Sequence, residues 1–540
     1  MSDTVKITVN GKEVDVPEGT NLIRAVKMAG SPVPHFCYHK NLSVAGNCRM
    51  CIVEIEGVRG LPIACNSTAT EGLVVNTESE KVKDTRAAVM EFLLINHPID
   101  CPVCDQAGEC KLQQYYMEHD RMDSAVAIDD KVKKGKAIEV GPRVMLDQER
   151  CVACSRCVRF CDEVSKTGEL RLMERGDHTT IDTFPGRELD NAYSVNTVDI
   201  CPVGALTSRD FRFQARAWYL RDAESICPGC ATGCNIDVSV YDQIELSDYN
   251  GQAYRIRPRE NDAVNKTWMC DAGRDTYTRI NTDRIDQPFA HGIEVSWEGA
   301  ISRAHKLLHA ASTQPGAIVG VMGFDCTNEE AYLFQKMLHE VFGTSKVALL
   351  SSRPLQQGDD LLIDADPHAN RRGVEAVIGD GVVGDIAAYL EGAEGVIVLG
   401  ADPRHIMHSS AIRNAFAGIK QQVVFSSTMT GATEGAPIVL PTASFLEKEG
   451  TWVNREGRIQ RLFRGVRTHC EAREDVLAIA AFAQAFDEDW VARAPIEIFS
   501  DLVADLQGAF NGLTYDAIGK LGTMTQTEAS STDVLKGATS

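Results

Sequence analysis

No stretch of this chain approaches the roughly 20 consecutive apolar residues that a membrane span requires, so any membrane link is expected to come through partner subunits. The first residues, Met1-Ser2-Asp3-Thr4, lack the basic-then-apolar order of a secretory signal. The eighteen cysteines are therefore expected as reduced thiols in the cytoplasm rather than as disulfides. Basic residues are outnumbered 55 to 76, and the net charge of -21 argues against a nucleic-acid binder, which needs clustered Lys and Arg. The acidity reads as solubility. No GxGxxG follows a strand and no GxxxxGK[ST] occurs, so the chain is not expected to bind NADH itself. No nucleophile and base pair and no carboxylate dyad marks a substrate site, and no catalytic residue is assigned. The apolar fraction of 44% is ordinary for globular protein, and 540 residues allow three or more domains.

What the chain does hold is cysteine in four groups. The densest, His97-Pro98-Ile99-Asp100-Cys101-Pro102-Val103-Cys104-Asp105-Gln106-Ala107-Gly108-Glu109-Cys110, sets one imidazole and three thiols at gaps of three, two and five residues. Such donors can close four corners of a cube once the chain bends, and Pro98, Pro102 and Gly108 let it bend. Tetrahedral zinc is the alternative for one His and three Cys. The stretch resembles the [4Fe-4S] motif shared by the large iron-sulfur subunits of respiratory complex I and by iron-only hydrogenases.

Before it, Val5 to Val9 and Lys12 to Val16 alternate around Asn10-Gly11, a hairpin signal. A helix is predicted next, capped by Thr20, with Leu22, Ile23, Val26 and Met28 on its apolar side and Gly30 past its end. Hairpin, helix and cysteine loop resemble the β-grasp ferredoxin. The loop offers Cys37, Cys48, Cys51 and Cys65 at gaps of ten, two and thirteen, four thiolates that suit a [2Fe-2S] cluster. The first gap is longer than in plant-type ferredoxins and is similar to the complex I subunits. Zinc is again the alternative, although a zinc ribbon wants two CxxC pairs and only one is present. A helix over Lys81 to Ile95, with Val82, Val89, Met90, Phe92, Leu93 and Leu94 apolar, then leads to His97, and the charged residues Asp120 to Gly141 read as an exposed connector.

Cys151, Cys154, Cys157 and Cys161 form CxxCxxCxxxC, with Cys201-Pro202 forty residues on, a bacterial ferredoxin signature for a [4Fe-4S] cluster. Here the fourth ligand is open between Cys161 and Cys201. In two-cluster ferredoxins the fourth cysteine of such a run serves the other cluster and precedes a proline. Asp162 follows Cys161 and no second run exists, whereas Cys201 has Pro202, so Cys201 is the expected ligand. Cys227, Cys230, Cys234 and Cys270 make a fourth group, which resembles the cluster domain of molybdopterin oxidoreductases.

Beyond Arg284 the pattern becomes strands alternating with helices. Ala317 to Met322, Val347 to Leu350, Val396 to Leu399 and Val423 to Phe425 are short apolar runs of buried parallel strands, and Thr327-Asn328-Glu329-Glu330 has capping-box form, so a doubly wound α/β domain is predicted. Leu399-Gly400-Ala401-Asp402-Pro403 and the stretch from Leu440-Pro441 through Glu447 to Gln460 resemble molybdopterin oxidoreductases, where such residues shape a pterin pocket. Two departures favour a retained structural loop. No Cys lies between Cys326 and Cys470 to bind the metal, leaving only Ser351 or Ser352, and eighty residues after Gln460 are too few for that family's C-terminal domain. Thr523 to Ser540 is polar and is expected to be disordered.

Together the order resembles a short bacterial form of the large iron-sulfur subunit of complex I. The implied organisation is α+β and α/β multidomain: a β-grasp [2Fe-2S] ferredoxin (1–80), a one-His/three-Cys [4Fe-4S] domain (81–140), a [4Fe-4S] ferredoxin-like domain (141–219), a molybdopterin-oxidoreductase-type [4Fe-4S] domain (220–285), a degenerate, truncated α/β domain (286–480), and a helical end with a disordered tail (481–540). The resemblance implies an electron relay of NADH:quinone oxidoreductase with one [2Fe-2S] and three [4Fe-4S] clusters and no molybdopterin. Its implied partners are a flavin-bearing NADH-oxidising subunit and ferredoxin-like and quinone-site subunits, at the cytoplasmic side of the inner membrane in the peripheral, hydrophilic arm. The alternatives are a molybdenum- or tungsten-dependent formate dehydrogenase, an iron-only hydrogenase, which would need further cysteines after residue 270, and a colourless zinc scaffold.

Overall fold

The computed structural model describes residues 4–120, 126–241, 251–351, 353–401, 409–430, 432–506 and 508–526. The chain forms two compact units, Met1–Leu220 and Arg221–Ser540.

The first unit opens with the expected hairpin. Strands Thr4–Val9 and Lys12–Pro17 pair with Val9 opposite Lys12, and Asn10 and Gly11 both take positive φ (51° and 81°), as a two-residue turn with the right twist requires. Val74–Asn76 joins Thr4–Val9 in parallel and Glu54–Ile55 closes the four-stranded sheet. Val5, Ile7, Val9 and Val16 point into one core with Leu22, Ala25 and Val26 of the helix Leu22–Met28. The cap of that helix is Asn21 and not Thr20. The Asn21 carboxamide oxygen accepts the Ile23 N–H, and the Thr20 hydroxyl instead donates to the Pro17 carbonyl at 2.6 Å, closing the preceding turn. Met28, expected on the apolar side, is 55% exposed.

Ser79 caps the next helix, Glu80–Leu94, which buries Val82 and Met90 and leaves Phe92 75% exposed, against expectation. The charged segment after residue 125 is not a free connector. Buried Lys131 donates to the Leu94 and Ile95 carbonyls at 2.7 and 3.0 Å, satisfying the open end of the helix, and Lys134 donates to the Thr179 carbonyl. Residues 121–125 lie outside the described residues. Strands Ile138–Glu139, Val144–Leu146 and Leu206–Ser208 then form a small sheet beside the helix Arg156–Glu163 and the ribbon Leu170–Met173/Thr180–Thr183.

The second unit opens within the strand Leu220–Ile226, which pairs in a sheet with Asn235–Tyr241 and Ala253–Pro258, and the segment between the first two strands carries Cys227, Cys230 and Cys234. Its centre is a seven-stranded sheet. Five strands run parallel, Ile318–Gly323, Val347–Leu350, Gly395–Leu399, Gln421–Ser426 and Ile438–Pro441, in the spatial order second, first, third, fourth, fifth. The first four are the predicted apolar runs, while the fifth was not anticipated as a strand. Neighbouring residues serve opposite faces: Met322, Ile397, Leu399, Val423 and Phe425 enter one core, and Val321, Val396, Val398 and Val424 the other. The capping box forms as expected, with Glu330 accepting the Thr327 N–H at 2.8 Å and the Thr327 hydroxyl accepting the Glu330 N–H at 3.2 Å. Thr523–Met524 is no disordered tail but a strand paired with Arg458–Leu462, while residues 527–540 lie outside the described residues, as do Ser352, Asp402 and Pro403.

Candidate metal centres

Each cysteine group sits on a loop bent by at least one residue in the left-handed region: Arg49 (φ 59°) between Cys48 and Cys51, Ile99 (50°) between His97 and Cys101, Ala153 and Ser155 (49° and 60°) among Cys151, Cys154 and Cys157, and Gly233 (58°) before Cys234. Four of these five residues carry a side chain that disfavours the conformation, strain of a kind that persists at functional sites.

In the first loop the Cys37 thiol contacts Cys48 and Cys65, and Cys65 contacts Cys51, so hydrogen bonds from neighbouring thiols push both Cys37 and Cys51 down. The Phe36 N–H points at the Cys48 sulfur at 3.4 Å. In the second group Cys101, Cys104 and Cys110 neighbour one another, and His97 shares with Cys104 the flanking pair Asp100 and Arg150. Burial pushes the His97 imidazole down to about 4, which leaves it neutral with a lone pair for a metal. The Arg216 guanidinium pins this loop through the Cys104 and Pro102 carbonyls at 2.7 and 2.6 Å.

Cys151, Cys154, Cys157 and Cys201 together line one cavity, walled by Leu146, Ile181 and Leu206. Cys161 does not line it. Its thiol is fully buried against Leu170 and Glu169 beneath the ribbon, one turn along the helix from Cys157. Burial pushes Cys151 up to about 12 and Cys154 up to about 11, so metal loading at these thiols releases protons. In the fourth group Gly229 and Gly273 direct their N–H groups at the Cys227 and Cys270 sulfurs at 3.4 and 3.3 Å, and a Cβ added at Gly273 would stand 3.1 Å from the Cys227 sulfur. Residues of the long molybdopterin-oxidoreductase-like stretch brace this loop: the Gln460 amide donates to the Gly233 carbonyl, the Asn454 amide to that of Thr232, and the Arg455 N–H to that of Ala231.

Several residues that tie these loops together carry no signal in the spacing of cysteines. Arg156 donates to the Ile200 carbonyl beside Cys201 (3.0 Å) and to the Tyr38 carbonyl beside Cys37, and Arg159 donates to the Cys37 and Cys154 carbonyls. The second and third groups meet at Pro202–Gly204, where the Lys111 N–H donates to the Pro202 carbonyl at 3.0 Å and a Cβ on Gly204 would stand 2.3 Å from the Cys104 sulfur. Buried Arg150 grips Asp100 with two bonds (3.2 and 2.7 Å) and Asp147 with a third.

One zinc ion would draw its thiolates to about 3.8 Å from one another, the edge of a tetrahedron with bonds of about 2.3 Å. Among the described residues none of the four cysteine groups brings three donors within 4.8 Å of one another. By donor chemistry alone, four thiolates, or three with one neutral imidazole, suit an iron-sulfur cluster as well as a single zinc ion.

Five family profiles match successive stretches of the chain: a 2Fe-2S iron-sulfur cluster binding domain (2–80), the NADH-ubiquinone oxidoreductase-G iron-sulfur binding region (86–124), the ferredoxin-like domain of NADH-quinone oxidoreductase subunit 3 (141–207), the molybdopterin oxidoreductase Fe4S4 domain (221–282) and molybdopterin oxidoreductase (419–485). The homologues of this chain are the G and 75 kDa subunits of complex I. The NADH-quinone oxidoreductase G subunit of Rickettsia conorii is 35% identical over 62% of this chain and 49% of its own length. The 75 kDa subunit of Reclinomonas americana is 37% identical over 66% of this chain and 50% of its own length. The mitochondrial 78 kDa subunit of Neurospora crassa is 34% identical over 76% and 52%. The chain thus spans about half the length of the curated relatives it matches. All three relatives are subunits of an oxidoreductase complex, and a formate dehydrogenase is not favoured. The chain carries 2Fe-2S and 4Fe-4S binding domains and the molybdopterin-oxidoreductase-type Fe4S4 domain. A chain of an NAD+-reducing [NiFe]-hydrogenase in the H2-reduced state overlaps 39% of this chain and 90% of its own at 27% identity, with a TM-score of 0.35, too low to bear on the fold. Among the described residues no helix is long and apolar enough to cross a membrane.

Proposed function

We propose that this chain is the iron-sulfur relay of an NADH:quinone oxidoreductase, standing between a flavin-bearing NADH-oxidising subunit and ferredoxin-like and quinone-site subunits, peripheral to the membrane on its cytoplasmic side. Its residues hold one [2Fe-2S] cluster through Cys37, Cys48, Cys51 and Cys65. Three [4Fe-4S] clusters belong to His97 with Cys101, Cys104 and Cys110, to Cys151, Cys154 and Cys157 with Cys201, and to Cys227, Cys230 and Cys234 with Cys270. Bound clusters of these types each take up and release one electron with their ligands fixed. The chain itself positions the sulfurs, excludes water with apolar walls such as Leu146 and Ile181, and supplies cations beside them in Arg150 and Arg156. No molybdopterin is part of this reading.

The observation that carries it is the cavity of the third cysteine group, which is lined by Cys201 from forty residues beyond Cys161 and not by Cys161 itself. A count of sixteen ligands for four clusters needs such a residue. The test is anaerobic reconstitution with iron and sulfide analysis and electron paramagnetic resonance. About fourteen iron atoms per chain are expected, with one [4Fe-4S] signal lost in Cys201→Ser and all signals kept in Cys161→Ser. The opposite pair of outcomes overturns the ligand set, zinc in place of iron overturns the relay, and molybdenum or tungsten near one per chain points to a formate dehydrogenase.

A further inference from the structure

Three cysteines stand outside those sets. Cys161 and Cys326 are buried, whereas Cys470 is exposed. Its thiol is not alone there: the Cys470 sulfur lies 3.6 Å from His469 Nε2, and the same nitrogen lies 2.7 Å from Asp286 Oδ1. Successive side chains on an extended strand point apart. Here Cys470 takes φ 44°, which bends the backbone so that two consecutive side chains converge.

The three residues are held from behind. The Glu471 N–H donates to the Asp286 carbonyl at 2.9 Å, the Glu471 carbonyl accepts the Trp297 indole N–H at 2.7 Å, and the Ala472 N–H donates to the His469 carbonyl at 2.8 Å. A Cys-His-Asp relay for nucleophilic catalysis needs the thiol on one ring nitrogen and the carboxylate on the other. Both partners face Nε2 here, so the geometry is that of three donors around one point.

That point suits one ion. All three donor atoms lie within 4.8 Å of one another, the only trio of its kind among the described residues. Tetrahedral zinc with bonds of about 2.0 to 2.3 Å needs donor separations of about 3.3 to 3.8 Å. The sulfur-to-nitrogen distance already meets this, and the nitrogen-to-oxygen distance has to open by about half an ångström as the hydrogen bond is replaced. We propose that Asp286, His469 and Cys470 form a binding site for a single zinc-class divalent cation, with the fourth position open to solvent. A thiolate and an imidazole select zinc over magnesium or calcium, which prefer oxygen donors. On binding, the Cys470 thiol proton leaves to solvent and the sulfur enters as thiolate.

The test uses the holoprotein with its clusters assembled anaerobically, dialysed against micromolar zinc chloride. One zinc per chain is expected. Zinc-edge absorption should show one sulfur near 2.3 Å and nitrogen or oxygen near 2.0 Å. His469→Ala and Cys470→Ser are each expected to weaken zinc binding by about tenfold or more, with every cluster resonance unchanged. Since the three side chains are at or near the surface, intact cluster signals also report that the variants fold. Zinc uptake equal in the wild type and the His469→Ala/Cys470→Ser double variant would overturn the proposal, as would a wild type that retains none.

Discussion

The cysteine loops of the first unit are partly exposed at Cys101, Cys110, Cys151 and Cys201, the parallel sheet of the second is buried on both faces, and the two are held in different ways. The sheet closes its own backbone ladder and packs two apolar faces, with Phe425 and Met322 on one side and Val424 and Val321 on the other. The loops have no such ladder. Their left-handed residues, Arg49, Ile99, Ala153 and Ser155, each cost on the order of 1 to 3 kcal/mol. They are held from outside, by arginines that grip carbonyls and, under the proposed function, by metal. A sheet of this kind stands on its own apolar faces, while a ligand loop is stable only together with what it binds.

Removing iron anaerobically with a chelator should separate the two regions most sharply. The first unit is expected to lose its cooperative thermal transition, while the second unit loosens only around its Cys227 to Cys270 loop and keeps a transition of its own, carried by the packed sheet. Simultaneous loss of both transitions would erase the contrast. Next in size is Gly204→Ala. Its methyl would press on the Cys104 sulfur, so the resonance of the one-His/three-Cys cluster should vanish while that of the [2Fe-2S] cluster persists.

Within the second unit the buried Lys448 ammonium lies between Glu330 (2.8 Å) and Asp475 (3.2 Å). Lys448→Met leaves two buried carboxylates without their cation and is expected to cost about 3 to 5 kcal/mol by chemical denaturation, with the resonances of the first unit unchanged. A smaller effect is expected from Arg156→Gln, which removes a cation beside both the first and third groups. Potentiometric titration should show both midpoints falling, on the order of tens of millivolts, with the other two clusters unmoved. A shift of all four alike would mean a general loosening instead. The smallest is Asn21→Ala, about 1 kcal/mol from a lost helix cap, readable as a shift in the denaturation midpoint of the first unit.

The turn at Asn10-Gly11, the capping box at Thr327, the four apolar strands and the cysteine spacings were all legible in the chain, because each depends on residues close in sequence. A two-residue turn needs only its own backbone, and a helix cap only its first turn. Local pattern failed where a distant group competed. Thr20 was taken up by Pro17, so the cap fell to Asn21, and Thr523–Met524 found a partner strand sixty residues back. Whether Lys131 is exposed, and whether Phe92 is buried, depended on what else reached the same surface.

For the candidate centres, spacing proposed His97 and the four cysteine groups, and a proline argument favoured Cys201. Only the fold set Cys201 in the cavity with Cys151, Cys154 and Cys157 and turned Cys161 under the ribbon. The arginines between the loops, the close approach of Gly204 to Cys104, and the meeting of Asp286 with His469 across 183 residues belong wholly to tertiary structure. The physical reason is range. The sequence determines which donors exist and how tightly the chain bends around them. Which charges stand beside them, and which remote side chain completes a set, follow from packing between segments that share no sequence neighbourhood.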